Sequence, residues 1–269
     1  MAFHFLIIDI DDYWNLSAGH ILAYDWEINN VSNIIIDNLI KADIVTCTHQ
    51  RLAESASIYN KNVHILPNAI PNNFEQFNLN KVESLKVRFM WQGSITHGRD
   101  IELLRNPMKK IHSDYFLSNK IKMVFGGHVK ELIDSNSMLD AFTCGLKNDP
   151  LVIPGLKPTE YYQIYNYADV ALIPLVDNKF NSYKSNLKIL EAAHAGIPVI
   201  VSHVNPYLDF PDDCVIYVKN QRDWYNNIKM FADIPYSRKL IGDNLKEYCN
   251  KNFNFKEINL KRKEIYETK

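Results

Sequence analysis

The sequence has 269 residues, 46% of them hydrophobic and 12% aromatic, and its 30 basic and 31 acidic residues leave a formal net charge of −1. This composition excludes an intrinsically disordered chain and offers no excess of basic charge for bulk nucleic-acid binding. The four cysteines have no paired spacing and no neighbouring pairs of histidines, which favours free thiols over a disulfide framework or a zinc site.

The amino-terminal apolar run is short and leads at once into aspartates, in the letters MAFHFLIIDIDD. It is too short and too soon acidic for a signal peptide, and no later run is long enough to span a membrane. We therefore predict a soluble, cytoplasmic protein.

Short apolar runs alternate with helical patterns in the first part of the chain. The predicted order is a strand at 5–10, a helix at 24–41, a strand at 43–48, a helix at 50–59 and a strand at 63–67. Near-continuous apolar strands separated by helices indicate a parallel sheet covered on both faces. Because three strands make a thin sheet, we expect it to pack against the rest of the chain or against another chain.

An Asn- and Pro-rich segment at 67–86 precedes a second block, in which the alternation restarts. Strands are predicted at 87–93, 121–127, 150–155, 169–175, 197–202 and 214–218, and helices at 100–111, 159–167, 185–195 and, two or three in number, after 218. The predicted fold class is α/β with two Rossmann-type parallel-sheet domains, the N-terminal one truncated. The predicted domain limits are 1–80 and 81–250.

Ligands of doubly wound sheets bind beyond the carboxyl ends of the strands. Four loops leave such ends in the second domain, at 93–100, 126–128, 154–158 and 174–185. Glycine stands where the strand stops in three of them. We therefore predict a single site where these loops converge.

The fourth loop leads into a helix with the letters KSNLKILE. Ser185 or Asn186 is a suitable N-cap, so the first-turn N–H groups and the helix dipole form an anion site. Lys184 precedes the turn, and Lys188 and Glu191 share one face at i, i+3 spacing. A diphosphate suits the N–H groups and lysines, and a ribose diol suits the carboxylate. The alternative is an exposed amphipathic helix with a Lys–Glu surface pair.

Five stretches together resemble the retaining glycosyltransferases with two Rossmann domains (GT-B), specifically the large family 4. They are ADIVTCTHQRLAE, NVHILPNAI, WQGSITHGRDIELL, EYYQIYNYADVALIPLVDNKFN and KSNLKILEAAHAGIPVIVS, and they cover about residues 42–207. The resemblance implies that the second domain binds a nucleotide-diphosphate sugar and the first binds the acceptor. It also implies that the final helix, at 251–269, packs back toward the first domain, and that transfer retains configuration without a metal or cofactor.

The resemblance assigns roles to single residues. Glu191 matches the second acid of the family's E-x7-E signature and would bind the nucleotide ribose. The first acid would fall at Tyr183, so the chain departs from the signature there. The letters KSNLK stand in place of the usual small-residue loop, in a variant where Lys184 and Lys188 bring positive charge to the phosphates. The predicted phosphate contacts at the helix start are Lys184, Ser185, Asn186, Leu187 and Lys188.

Further donor contacts follow from the same resemblance, with a UDP-type donor expected. In GSITHGRD, Ser94 stands at the family's arginine position and His97 near its lysine position. Gly93 and Ser94 would approach the phosphate through their backbone, and His97 or Arg99 through the side chain. For His97 the alternative is a loop histidine that caps the following helix. Gly155 and Leu156 would offer backbone groups to the base.

The opening letters IIDIDDYWNLSAGH place acids directly after a strand. A D-x-D occurs as a metal motif in the GT-A fold, but the downstream pattern fits GT-B, and we predict no metal site. Asp11, Asp12 and His20, together with Asp9, would face the cleft and orient or deprotonate an acceptor hydroxyl. Capping and loop hydration are the alternative. The predicted catalytic residues are Asp11, Asp12, His20 and Lys188.

A second hypothesis is that the chain is a catalytically silent subunit that binds a nucleotide-sugar. The short first domain and the departure at Tyr183 motivate it. A short first domain has three possible explanations. A second polypeptide completes it, the protein self-associates, or the acceptor is a large polymer that needs only a shallow binding surface. The acceptor is left open between a glycan, a small molecule and a modified base in viral DNA.

Overall fold

The computed structural model describes residues 5–17, 19–72, 74–144 and 150–267. Its first sheet has three parallel strands, β1 (Ile7–Ile10), β2 (Ile44–Cys47) and β3 (Val63–Ile65), in the order β1-β2-β3. The helices around it are α1 (Ala23–Ile28), α2 (Val31–Lys41) and α3 (Gln50–Ala56). All four residues of β2 are buried, as the continuous apolar run predicts for a central strand.

The helix predicted at 24–41 is divided in two. Asn30, between α1 and α2, has a left-handed backbone with φ 52°. Asparagine tolerates this conformation better than most residues because its short polar side chain bonds locally. The prediction of one helix was wrong because the apolar pattern continues across the break.

The second sheet has six parallel strands in the described part of the chain. They are β4 (Val87–Gln92), β5 (Ile121–His128), β6 (Leu151–Pro154), β7 (Val170–Ile173), β8 (Val199–Ser202) and β9 (Ile216–Val218). Their order is β6-β5-β4-β7-β8-β9. The chain winds outward on one side of β4 and then on the other, so the switch point lies between β4 and β7. The predicted α/β class with two parallel sheets is confirmed.

Eight helices follow β3 along the chain in the described ranges. They are α4 (Gly98–Ile101), α5 (Arg105–Ser113), α6 (Tyr115–Lys120), α7 (Ile133–Thr143), α8 (Leu187–His194), α9 (Gln221–Asp233), α10 (Pro235–Asn252) and α11 (Phe255–Glu267). A 3-10 turn over Glu102–Leu104 separates α4 from α5 within the helix predicted at 100–111. The helix predicted at 159–167 is a 3-10 helix over Tyr161–Tyr167.

The prediction missed α6 and α7. The buried residues of α7 include Ser135 among Met138, Ala141 and Phe142. The Ser135 hydroxyl accepts a hydrogen bond from the Val129 backbone N–H, 3.0 Å away. A polar residue therefore occupies a core-facing position, and this weakens the apolar periodicity that identifies a helix.

Both faces of the second sheet are covered. In β4, Phe89 and Trp91 belong to one apolar cluster, whereas Met90 between them belongs to the other. Phe125 and Val124 of β5 divide in the same way. Alternate side chains of a strand point to opposite faces, so the two clusters are the two layers of the domain core.

The last helix lies against the first sheet. Ile265 of α11 packs with Ile44 of β2 and with Leu66 just after β3. At the start of α11, the Phe255 ring meets the Phe74 ring edge-on, with centroids 6.3 Å apart. These contacts connect the end of the chain to its beginning. No helix among the described residues combines the length and apolar character needed to cross a membrane.

A buried ion pair lies at the amino-terminal ends of the strands of the second sheet. Arg88, 6% exposed, donates from Nε and Nη2 to the two carboxylate oxygens of Asp169, at 3.0 and 2.9 Å. Its Nη1 also donates to the Val82 carbonyl at 2.6 Å. Burial raises the pKa of Asp169, but hydrogen bonds from Arg88 outweigh it and leave the pKa lowered. The pair therefore connects β4, β7 and the segment between the two sheets.

Candidate active site

The start of α8 lies where the fold places ligands. The segment 174–186 leaves the carboxyl end of β7 and leads into α8, and the loop after β4 leaves the neighbouring strand. These are the two strands on either side of the switch point, where a crevice opens in folds of this type. These two loops are among the four that we predicted to converge.

The first turn of α8 has free backbone donors. Asn186 occupies the N-cap position, but no side chain caps the helix. Within the described ranges, the N–H groups of Leu187 and Lys188 have no backbone or side-chain acceptor. Ser185 and Asn186 line a cavity of about 630 Å³ shared with first-domain residues, among them His49 and Arg51. The helix start therefore faces the space between the two sheets with its anion-binding groups unused.

Lys188 lies at the carboxyl end of β4. Its Nζ donates to the Gln92 carbonyl at 3.0 Å and lies 5.7 Å from the centroid of the Trp91 ring. Burial lowers the pKa of Lys188 to about 8, with Lys184 acting in the same direction, while Glu191 opposes the shift. The ammonium is therefore a partly dehydrated cation with one backbone acceptor, and such a cation attracts an anion strongly.

Lys184 lies on the side of the first domain. Its Nζ is 4.9 Å from the centroid of the Phe180 ring. Its charge contributes to lowering the pKa of His20, where burial is the larger cause. It also lowers the pKa of His97, after the larger effects of Lys188 and burial. Lys184 and Lys188 thus contribute positive charge on both sides of the helix start.

Glu191 is held by three residues of the second domain. It is 3% exposed. One carboxylate oxygen accepts from the Tyr161 hydroxyl at 2.8 Å, and the other accepts from Gln92 Nε2 at 2.8 Å and the Tyr165 hydroxyl at 3.0 Å. Burial raises the pKa of Glu191, and these hydrogen bonds oppose the rise. A carboxylate accepts about four hydrogen bonds, so about one position is left for a ligand hydroxyl.

Sequence reasoning missed the residues that hold Glu191. Gln92 ends β4, so its place at a strand terminus was a usable signal. Tyr161 and Tyr165 lie four residues apart in a 3-10 helix, where residues three apart share a face, so their spacing alone does not identify them as a pair. Burial and the charge of Glu191 raise the pKa of Tyr161, so its hydroxyl stays a donor at neutral pH.

His97 is paired with a buried acid that was also missed. Its Nδ1 lies 2.8 Å from Asp100 Oδ2, and the other oxygen of Asp100 accepts from the Val176 N–H at 2.8 Å and from Asn181. Lys188 and burial lower the pKa of His97. Neutral His97 thus donates to Asp100, and Asp100 ties the loop after β4 to the loop after β7.

Four of the residues predicted to contact phosphate and base line one pocket. Gly93, Ser94, Gly155 and Leu156 surround a cavity of about 430 Å³ together with Tyr161. The bottom of this cavity depends on a close contact between two loop backbones. At Gly127 φ is +87°, and a Cβ atom there would lie 2.3 Å from the Gly93 carbonyl oxygen, so only glycine fits.

Arg99 does not line the pocket of Gly93 and Gly155. Its guanidinium packs against Gly19, where a Cβ atom would lie 2.0 Å from Nη2. It lines a separate cavity of about 470 Å³ with His20 and Phe180, and Gly93 is not part of that lining. The structure therefore places Arg99 at the contact with the first domain, away from the pocket of Gly93 and Gly155.

The acids of the first domain are exposed around the end of β1. The hydroxyl of Thr46 donates to Asp9. Displacement of water by the surrounding protein and the charge of Asp12 raise the pKa of Asp11, which Lys184 partly opposes. The His20 ring lies 5.3 Å from the Phe180 ring, centroid to centroid. Asp11 and His20 therefore lie on the first-domain side of Lys184.

Tyr183 connects the two domains. Its ring stacks on Tyr13 with centroids 4.2 Å apart, and its hydroxyl accepts from Ser55 at 3.1 Å. Its carbonyl lies 2.9 Å from His49 Nε2. Where the glycosyltransferase signature has its first acid, this chain thus has an aromatic residue packed into the contact between its two sheets.

Among the described residues, no three or more His, Cys, Asp and Glu side chains are grouped so that they could hold a metal ion.

No family model matches the chain, and no curated protein matches it in sequence. Among solved structures, S. aureus TarM aligns with 97% of the chain at 13% identity and a TM-score of 0.69, over 50% of TarM. Anabaena HepE in complex with UDP and glucose aligns with 98% of the chain at 10% identity and a TM-score of 0.72, over 72% of HepE. E. coli trehalose-6-phosphate synthase bound with UDP-2-fluoro glucose aligns with 90%, at 12% identity and a TM-score of 0.61, over 65% of that protein.

These structures have the GT-B fold, and the chain therefore has it too. The chain spans about half the length of TarM.

Proposed function

We propose that this GT-B chain is a retaining, family 4-like glycosyltransferase that moves a sugar from a UDP-type donor to an acceptor hydroxyl. The open start of α8, flanked by Lys184 and Lys188, is the observation that carries the proposal. It offers unused N–H donors and two cations at the switch point of the sheet. A diphosphate is the ligand that matches such a set of groups. The UDP and UDP-sugar bound in HepE and in the E. coli synthase support this choice of donor.

The reaction breaks the bond between the sugar carbon and the diphosphate oxygen. The electron pair of that bond leaves on the diphosphate, the acceptor oxygen bonds the sugar carbon, and the acceptor proton passes to the departing phosphate. Negative charge therefore grows on the diphosphate as the bond breaks. Donors already oriented at the helix start, with Lys188 and Lys184, stabilise this charge most in the transition state. In this proposal the lysines supply the positive charge, and no metal is required.

The rest of the donor lies along the second domain. The base occupies the cavity of Gly155 and Leu156, with Gly93 and Ser94 beside the phosphates. The ribose lies at Glu191, whose remaining acceptor position takes a hydroxyl and whose orientation is fixed by Tyr161 and Tyr165. On the other side of the cleft, Asp11, Asp12 and His20 orient the acceptor hydroxyl.

The affinity for UDP is expected to fall as pH rises above about 8. Lys188 binds the diphosphate only when protonated, and its pKa in the unliganded protein is about 8. Each pH unit above this value then removes up to about tenfold of affinity, until the pKa of the bound state is reached. Calorimetric titrations of UDP between pH 7 and 9.5 measure the effect.

The variant Lys188→Arg is the control for the pH series. Arginine stays charged throughout this range, so its UDP affinity is expected to change little with pH. An equal fall in both proteins would assign the titration to another group.

The position of Tyr183 favours one second candidate, a silent subunit that binds the donor without transferring its sugar. Tyr183 replaces an acid that in the family contacts the sugar ring, and its side chain is used in the contact between the sheets. Donor hydrolysis without added acceptor distinguishes the two candidates. The transferase is expected to release UDP slowly from at least one UDP-sugar, and binding of UDP-sugars without any release would favour the silent subunit.

A further inference from the structure

We infer that a cavity at the amino-terminal edge of the second sheet binds a phosphate-bearing ligand. The cavity has a volume of about 420 Å³. Its lining includes Val87, the first residue of β4, and Pro198 and Asp169, which directly precede β8 and β7. It therefore lies at the amino-terminal ends of the strands, whereas the start of α8 lies beyond their carboxyl ends. The proposed donor site uses none of its residues.

The lining is strongly basic. Lys81, Lys86, Arg238 and Lys239 converge on the cavity from two separate segments. The one acid in the lining is Asp169, whose two oxygens accept hydrogen bonds from Arg88 and which also lies 3.9 Å from Lys81 Nζ, so one carboxylate faces four lining cations. On the outer side of α10, Lys239 also pairs with the exposed Asp243. The cations thus outnumber the acids around this cavity in a chain whose formal net charge is only −1.

The start of α10 adds to this positive potential. The helix has 18 residues and begins at Pro235 in the cavity wall, with no side-chain cap and no acid in its first turn. Arg238 instead lies in its first turn, and Lys239 follows directly. Positive side chains at a helix N-terminus repel the helix dipole and destabilise the helix. An anion bound at this point offsets the repulsion, so an anionic ligand stabilises the start of α10.

Two of these cations are partly removed from water. Burial lowers the pKa of Lys81, with the charge of Asp169 opposing, and it lowers the pKa of Arg238 in the same way. Each donates one hydrogen bond to a backbone carbonyl, Lys81 to Ala168 and Arg238 to Phe231. Most of their remaining donors have no protein acceptor in the described part of the chain. A phosphate group accepts several hydrogen bonds at once and matches such a cluster.

The phosphate has two possible sources, a soluble phosphorylated molecule or a lipid headgroup. Leu85 in the lining is fully exposed, and Tyr236, beside Pro235, is 72% exposed. These apolar side chains at the rim are compatible with either source. The shared chemistry is a phosphate held by Lys86, Arg238 and Lys239, and the experiment separates the sources.

The test uses the variant Lys184→Ala/Lys188→Ala, in which the donor site is weakened. Calorimetry with inorganic pyrophosphate is expected to show binding that remains in this background. Adding Lys86→Gln and Lys239→Gln, two surface changes that leave the core intact, is expected to weaken it by about tenfold or more. Adding Lys251→Gln instead removes one positive charge about 18 Å along α10 from Lys239, and it is expected to leave the binding unchanged.

Co-sedimentation with phosphatidylcholine vesicles, with and without phosphatidylglycerol, forms the second arm. Binding of pyrophosphate alone supports a soluble ligand, and binding that also appears with phosphatidylglycerol vesicles supports a lipid headgroup. In either case, Lys86→Gln and Lys239→Gln together must weaken the binding. Absence of binding in both arms, or an equal loss with Lys251→Gln, would overturn the inference.

Discussion

Replacement of Lys188 by alanine is expected to weaken UDP binding by about ten- to a hundredfold at pH 7, because a charged hydrogen bond to phosphate is lost. The Nζ atom of Lys188 contacts only the Gln92 carbonyl among protein acceptors that the structure describes, so the fold has little need of it. Since charge on the diphosphate grows during the reaction, kcat/KM for the donor is expected to fall at least as much. Calorimetry with UDP and initial rates of UDP release measure the two effects.

The exposed Lys261 on α11 provides a matched control. Lys261→Ala removes the same charge from a helix that does not line the cavity at the start of α8, and it is expected to leave both quantities unchanged. Unaltered UDP binding in a folded Lys188→Ala variant would mean that the diphosphate lies elsewhere.

Replacement of Arg88 by alanine is expected to lower the free energy of unfolding by about 3 kcal/mol, because it removes both side-chain hydrogen bonds to the Asp169 carboxylate and leaves Lys81 Nζ, 3.9 Å away, as its charged neighbour. This is the lower end of the usual range, since 28% of the Asp169 side chain is exposed and water can partly solvate it. Urea denaturation at pH 7 measures the change. Because the ion pair lowers the pKa of Asp169, its stabilising effect is present at neutral pH and is lost as pH falls through that pKa.

A second arginine pair in the chain provides the comparison. Arg105 donates to Glu102 with similar geometry, but the two side chains are 38% and 48% exposed. Arg105→Ala is therefore expected to cost less than about 1 kcal/mol. Equal losses for Arg88→Ala and Arg105→Ala would show that burial does not set the strength of the Arg88 pair.

The parallel strands were predictable because their apolar runs are nearly continuous. Residues 169–175 and 197–202 were assigned as strands, and β7 and β8 lie within them with every residue buried. Helix boundaries were less accurate. The break at Asn30 depends on one left-handed residue, and the 3-10 geometry of Tyr161–Tyr167 depends on packing that no local pattern records.

The candidate site was predictable only in part. The spacing of Lys184, Lys188 and Glu191 placed them at a helix start, and the structure has all three there. The hydrogen bonds to Glu191 come from residues 26 to 99 positions away in the chain, and no short motif could identify them. The separation of Arg99 from the other loop residues likewise depends on its long-range packing against Gly19.

The departure at Tyr183 now has a structural reason. An acid at this position could neither stack on Tyr13 nor reach the Ser55 hydroxyl in the same way. The residue stabilises the contact between the two sheets and leaves the positive charge of Lys184 and Lys188 without a nearby acid from this position. In the proposed function, a loop with two lysines and no acid at this position binds the diphosphate rather than the sugar ring.

The central claim is that the open start of α8 binds the diphosphate of the donor. Amide NMR spectra of the protein, recorded during a titration with UDP, test it most directly. We expect the N–H resonances of Leu187 and Lys188 to be among those that shift most, because these two groups gain phosphate acceptors. Saturation with UDP that leaves both resonances in place would show that the diphosphate does not bind at the start of α8.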